Sequence, residues 1–128
     1  IANAGAVEPL VRLLRNGDAA GKTQAAGALN NLAVDNHNQI VIMCAGAVHP
    51  LVRLLRSGSS EGKTNAAGLL RILACNADMH IAIARARAVE PLVELLKTGD
   101  SAGKTEAAGA LSNLALNDDN KIVIARAG

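Results

Sequence analysis

The chain has no phenylalanine, tyrosine or tryptophan among its 128 residues. Its core must therefore be built from Leu, Ile, Val and Ala. It also lacks the aromatic platforms on which unpaired bases stack, which argues against nucleic acid as a partner. Charge is nearly balanced at a formal +2, too little to argue for a phosphate backbone. The only two cysteines, Cys44 and Cys75, are far apart with no Cys-x-x-Cys spacing, so neither a disulfide framework nor a zinc site is expected. No apolar run approaches the roughly 20 residues that span a bilayer, and no signal peptide is read. The expectation is an intracellular protein, cytoplasmic or nuclear, without membrane insertion or cofactor.

What the chain does have is a period. Pro9, Pro50 and Pro91 stand 41 residues apart, as do Gly21-Lys22-Thr23, Gly62-Lys63-Thr64 and Gly103-Lys104-Thr105. Ala25-Ala26-Gly27 recurs in the same register at Ala66-Ala67-Gly68 and Ala107-Ala108-Gly109. A period of this length marks stacked units, none of which buries its apolar face alone. The units run over about 5–45, 46–86 and 87–127. The opening Ile1-Ala2-Asn3-Ala4-Gly5 matches the closing Ile124-Ala125-Arg126-Ala127-Gly128 in phase, which suggests a piece of a longer array.

Within the middle unit, Val48, Leu51, Val52 and Leu55 have helical spacing, with Pro50 in the first turn, where its missing N–H costs little. Arg53 and Arg56 fall where the helix dipole favours cations. Gly58 is expected to end this helix in the left-handed conformation. A longer helix follows to about Ala74, capped by Ser59, with Asp18 and Asp100 in the same role elsewhere. The β-branched segment Gln39 to Ala45 resembles a strand, but a strand there has only its own copies to pair with. A short helix closing at Gly46 suits it better. Arg87 replaces the glycine of positions 5, 46 and 128, so the chain is expected to turn differently there.

Two chemical readings are considered and set aside. Gly17 to Thr23 resembles a phosphate-binding loop, as do Gly58 to Thr64 and Gly99 to Thr105. Each copy, however, has three residues rather than four before Gly-Lys-Thr, and each follows a helix rather than a strand. A nucleotide-binding enzyme is not expected. His37, His49 and His80 have polar counterparts in the other units and read as solvated, and no pair has metal-ligand spacing. No metal site or catalytic arrangement is expected.

A three-helix unit beginning Gly-Ala-Val-x-Pro-Leu-Val-x-Leu-Leu and ending Ala-Ala-Gly-Ala-Leu-x-Asn-Leu-Ala resembles the armadillo repeat, over the whole chain. The Gly-Lys-Thr-x-x-Ala-Ala-Gly segment is most similar to armadillo proteins of plants, algae and protists, including the armadillo region of U-box ubiquitin ligases. The resemblance implies an all-α, right-handed superhelical solenoid that binds an extended peptide in the concave groove lined by the third helices. At about 100° per residue, positions 20, 24, 27 and 31 share a helix face. The groove candidates are therefore Gln24, Gly27 and Asn31; Glu61, Asn65, Gly68 and Ile72; and Glu106, Gly109 and Asn113. Asn30, Arg71 and Ser112 lie at the edge. Asn31 and Asn113 match the family asparagine that holds a bound main chain, and Ile72 departs from it. Glycine stands where the family often has tryptophan, which argues against a nuclear-import adaptor. Its repeated use has two readings, close helix packing or a groove floor left open for bulky ligand side chains.

The function expected is a non-catalytic interaction scaffold, with a substrate-recruiting region of a ubiquitin ligase as a narrower version. A minimal or engineered fragment without independent function is the alternative. Apolar residues at the two ends are expected to lack a covering repeat, namely Ile1, Val7, Leu10 and Leu14 at one and Leu111, Leu114, Ile122 and Ile124 at the other. Head-to-tail self-association follows from that exposure.

Overall fold

A computed structural model describes residues 4–127, apart from the side chains of Ala4 and Asp118. Over those residues the chain is all-helical: α1 (Ala4–Asn16), α2 (Ala19–Leu32), α3 (Asn36–Cys44), α4 (Val48–Ser57), α5 (Ser60–Leu73), α6 (His80–Arg85, after a 3-10 turn at Ala77–Met79), α7 (Val89–Thr98), α8 (Ser101–Leu114) and α9 (Asp118–Ala127). The long helices α2, α5 and α8 pack side by side. Each rests on the helix before it, α1, α4 or α7. Ala25, Ala26, Ala66, Ala67 and Ala107 are buried in this stack, and their small side chains let the helices approach closely. No single described helix is long and apolar enough to cross a membrane.

Local chemistry sets the boundaries. Asp18, Ser59 and Asp100 accept the N–H of Gly21, Gly62 and Gly103 at 2.8, 3.1 and 2.9 Å, as expected of N-caps. The Gly-Lys-Thr segments are thus the first turns of helices, where Thr23, Thr64 and Thr105 donate back to the carbonyls of Ala19, Ser60 and Ser101. The β-branched segment is the helix α3, which meets α4 at 85°.

Four expectations need correction. Gly58 does not turn left-handed; its backbone is extended (φ −76°, ψ 173°). Glycine is needed there because a Cβ would come 2.5 Å from the Leu54 carbonyl oxygen. Arg87 does not turn differently. Its φ of 63° shares the left-handed region with the 80° of Gly46. What precedes and follows fixes that turn: the Arg87 N–H bonds to Ala84 O at 2.9 Å, as Gly46 N–H does to Met43 O at 3.0 Å. Arg56 then holds the Arg87 carbonyl at 3.2 Å, as Arg15 holds that of Gly46 at 3.5 Å. Gly5, by contrast, is an ordinary helical residue of α1, and Gly128 lies outside the described residues.

His80 is buried rather than solvated, with its Nε2 2.7 Å from the Ala74 carbonyl oxygen. Gln39, its counterpart, donates to Ala33 O at 2.8 Å. Beside them, Asn38 and Asn120 donate to Leu32 O and Leu114 O at 2.9 and 3.1 Å. Gln39 and His80 thus reach carbonyls just past the ends of the long helices, while Asn38 and Asn120 add a bond to carbonyls that also accept the Asp35 and Asn117 N–H at 3.3 and 3.1 Å. His37 and His49 are exposed, as expected.

The uncovered ends are also not where the sequence puts them. Val7, Leu14, Leu111 and Leu114 are buried, and Leu10 and Ile124 partly so. Ile122 is exposed, but so are its counterparts Ile40 and Ile81, so its exposure is no end effect. Ile1 lies outside the described residues. The repeat-dependent exposures are at Leu13, 41% exposed against 4% and 5% for Leu54 and Leu95, and at Leu96, 39% exposed against 1% and 2% for Leu14 and Leu55.

Candidate peptide-binding surface

The stacking of α2, α5 and α8 brings the expected groove residues into three rungs. Gln24 and Asn31 are exposed on α2, with Gly27 half-buried between them. On α5, Glu61 is exposed, Asn65 and Ile72 are half-buried and Gly68 is buried. On α8, Glu106, Gly109 and Asn113 are all half-buried.

Gln24, Gly27, Asn31 and Asn65 line one open hollow of about 460 Å³ together with Ala28 and Asn30. Four carboxamides therefore converge there without a charge among them. Asn65 also ties the rungs together, donating to the Thr23 carbonyl at 3.1 Å. Glu61, Ile72 and the α8 residues do not line this hollow.

The repeated glycines are covered from neighbouring helices, which favours packing over an open floor. A Cβ on Gly27 would sit 3.2 Å from the Asn65 amide nitrogen, and one on Gly68 2.5 Å from that of Asn30. One on Gly109 would run into the Arg71 side chain. Arg71 lies across that glycine to pair with Glu106, with Nε 2.6 Å from Oε1. Asn113 donates to the Arg71 carbonyl at 2.9 Å, so part of its hydrogen-bonding capacity is already engaged. Asn30 and Arg71, placed at the edge by helical phase, are thus central. The signal for them was the glycine itself, because three bare positions in a helix interior leave room that a neighbour must fill.

A family model for the armadillo/beta-catenin-like repeat matches residues 1–34, 35–75 and 78–116. The chain belongs to the armadillo repeat family. The model divides the same period in another phase, with a boundary at the turn before α3.

An engineered protein of known crystal structure is 40% identical, with a TM-score of 0.90, over 100% of this armadillo chain and 53% of its own. A computationally designed armadillo repeat protein for modular peptide recognition is 32% identical, with a TM-score of 0.90, over 99% and 55%. A designed armadillo repeat protein in complex with the peptide (KR)4 is 32% identical, with a TM-score of 0.88, over 99% and 54%. The armadillo chain thus spans about half the length of these structures. A search of curated proteins found no match. The armadillo fold is generally a non-catalytic scaffold.

Proposed function

We propose that this armadillo segment is an interaction scaffold that holds an extended peptide along the exposed face of α2, α5 and α8 and performs no chemistry. The carboxamide hollow of Gln24, Asn30, Asn31 and Asn65 carries the reading. A carboxamide donates and accepts at once, so it satisfies a peptide unit whatever the side chain. Arg71 offsets Glu106, which leaves recognition of the main chain ahead of recognition of charge.

The side chain of exposed Asn31 has no hydrogen-bond partner among the described residues. For a peptide selected by display and mapped to this face, Asn31→Ala is expected to lower affinity about fivefold, the worth of one hydrogen bond of about 1 kcal/mol. Helicity should not change. Unchanged affinity would rule out the asparagine as a main-chain holder. Asn113→Ala is expected to weaken both binding and folding, because Asn113 also bonds the Arg71 carbonyl.

A narrower version, recruitment of substrates to a U-box ubiquitin ligase, rests on the Gly-Lys-Thr-x-x-Ala-Ala-Gly segments and requires a U-box in the parent gene product. An intracellular location suits two cysteines that are free and exposed. A second copy of the chain is a further proposed partner, on the strength of exposed Leu13 and Leu96.

A further inference from the structure

Two equivalent clefts open where one repeat meets the next. The first, about 430 Å³, is lined by Leu14, Lys22, Pro50, Arg53, Leu54 and Arg56 among others. The second, about 330 Å³, is lined at the matching positions by Leu55, Lys63, Pro91, Glu94 and Leu95, with Arg56 again and Glu90 in addition. Their charges differ. Three cations and no carboxylate line the first, whereas Glu90 and Glu94 offset Arg56 and Lys63 in the second.

The difference arises in the middle helix of each repeat. In α1, Glu8 pairs with Arg12 at 3.5 Å. In α7, Glu94 stands in place of Arg53. Only α4 presents two arginines and no acid. Neither Lys22 nor Arg53 forms an ion pair with a described residue, while Arg56 is partly engaged by the Arg87 carbonyl. Like charges gathered over a low-dielectric floor of Leu14, Pro50 and Leu54 repel one another and draw in an anion. None of these residues lines the carboxamide hollow.

We propose that the cleft between the first and second repeats is a second docking site, and that it takes an acidic peptide segment. The charge balance of the lining calls for carboxylates, and the leucine and proline floor suits an apolar side chain between them. Nucleic acid fits less well, because of the two clefts only this one has cations without carboxylates, and no aromatic side chain is present to stack a base.

The test uses a labelled peptide of alternating Glu and Leu residues and the whole chain. Saturable binding that weakens with salt is expected. Charge reversal at half-buried Lys22 and exposed Arg53, Lys22→Glu with Arg53→Glu, should lower affinity by about tenfold or more, as removal and reversal of two paired charges implies. Circular dichroism should be unaltered. Glu90→His with Glu94→Arg, which gives the second cleft the charge of the first, should add a second equivalent of bound peptide. Absent binding, or affinity unchanged in the Lys22/Arg53 variant, overturns the proposal. So does an oligonucleotide that binds this cleft more tightly than the peptide at the same salt, or displacement of the peptide by equimolar inorganic phosphate. Asn31→Ala, the groove variant, should leave this binding intact, so the two sites fail or hold separately.

Discussion

Arg87 holds a left-handed backbone (φ 63°) at a position where the previous repeat has Gly46. A side chain with a Cβ loses about 1–2 kcal/mol in that conformation, partly offset because glycine loses more freedom on folding. Arg87→Gly is therefore expected to stabilise the fold by about 1 kcal/mol, read as a higher urea midpoint with an unchanged slope. Gly46→Ala should shift the midpoint the other way. A second residue-scale effect lies at Asp100, whose carboxyl the Gly103 N–H and then the Ser60 hydroxyl hold below its ordinary value of 3.8. A carboxyl with a lowered folded pKa contributes stability above its ordinary value and loses it as the pH falls through the lowered one. Asp100→Asn, which still caps α8, should reduce the fall in melting temperature between about pH 5 and about pH 2. An equal fall in both proteins would show that the bonds to Gly103 and Ser60 do not govern acid stability.

At the scale of elements, the buried polar residues entering the short helices fasten them to the long ones. Asn120 is buried and donates to the Leu114 carbonyl at 3.1 Å. That carbonyl also accepts the Asn117 N–H at 3.1 Å, so Asn120→Ala removes one of its two bonds and is expected to cost about 1 kcal/mol, against a negligible change for exposed Asn31→Ala. Denaturant titration of both variants distinguishes them. The helices, their caps and the 41-residue stacking were legible in the sequence because apolar spacing, Asp/Ser caps and Pro/Gly punctuation all recur. The clasps were not. Gln39 and His80 look like surface residues until the carbonyls they meet, six residues back, are seen to point inward. The shared face of the long helices was legible from helical phase, but Asn65 and Asn113 are partly engaged across it, a pairing that only the inter-repeat distance reveals. The glycine turn was misread for a related reason. The neighbouring bonds of residue 87, not its identity, set its backbone.

For the whole molecule, the repeat is its own gauge of what an interface buries. Leu14 and Leu54 line one inter-repeat cleft and Leu55 and Leu95 the next, and all four are at most 5% exposed. Leu13 and Leu96 occupy the equivalent positions but remain 41% and 39% exposed. The surface that covers Leu54 and Leu95 inside the molecule is the kind that Leu96 presents outside it, so a second copy can dock head to tail in the established geometry. Such a contact is heterologous and need not close, so it extends beyond a dimer. Apolar burial at roughly 25 cal/mol per Å² favours it. Sedimentation over a wide concentration range is expected to show mass rising with concentration. Leu13→Asp or Leu96→Asp alone should abolish the rise, since each removes one half of every contact. Mixing the two variants should restore dimers and nothing larger, because each retains the half that the other lacks. A strictly monomeric wild type would mean that Leu13 and Leu96 tolerate water as they stand. Higher oligomers in the mixture would place the contact elsewhere on the surface.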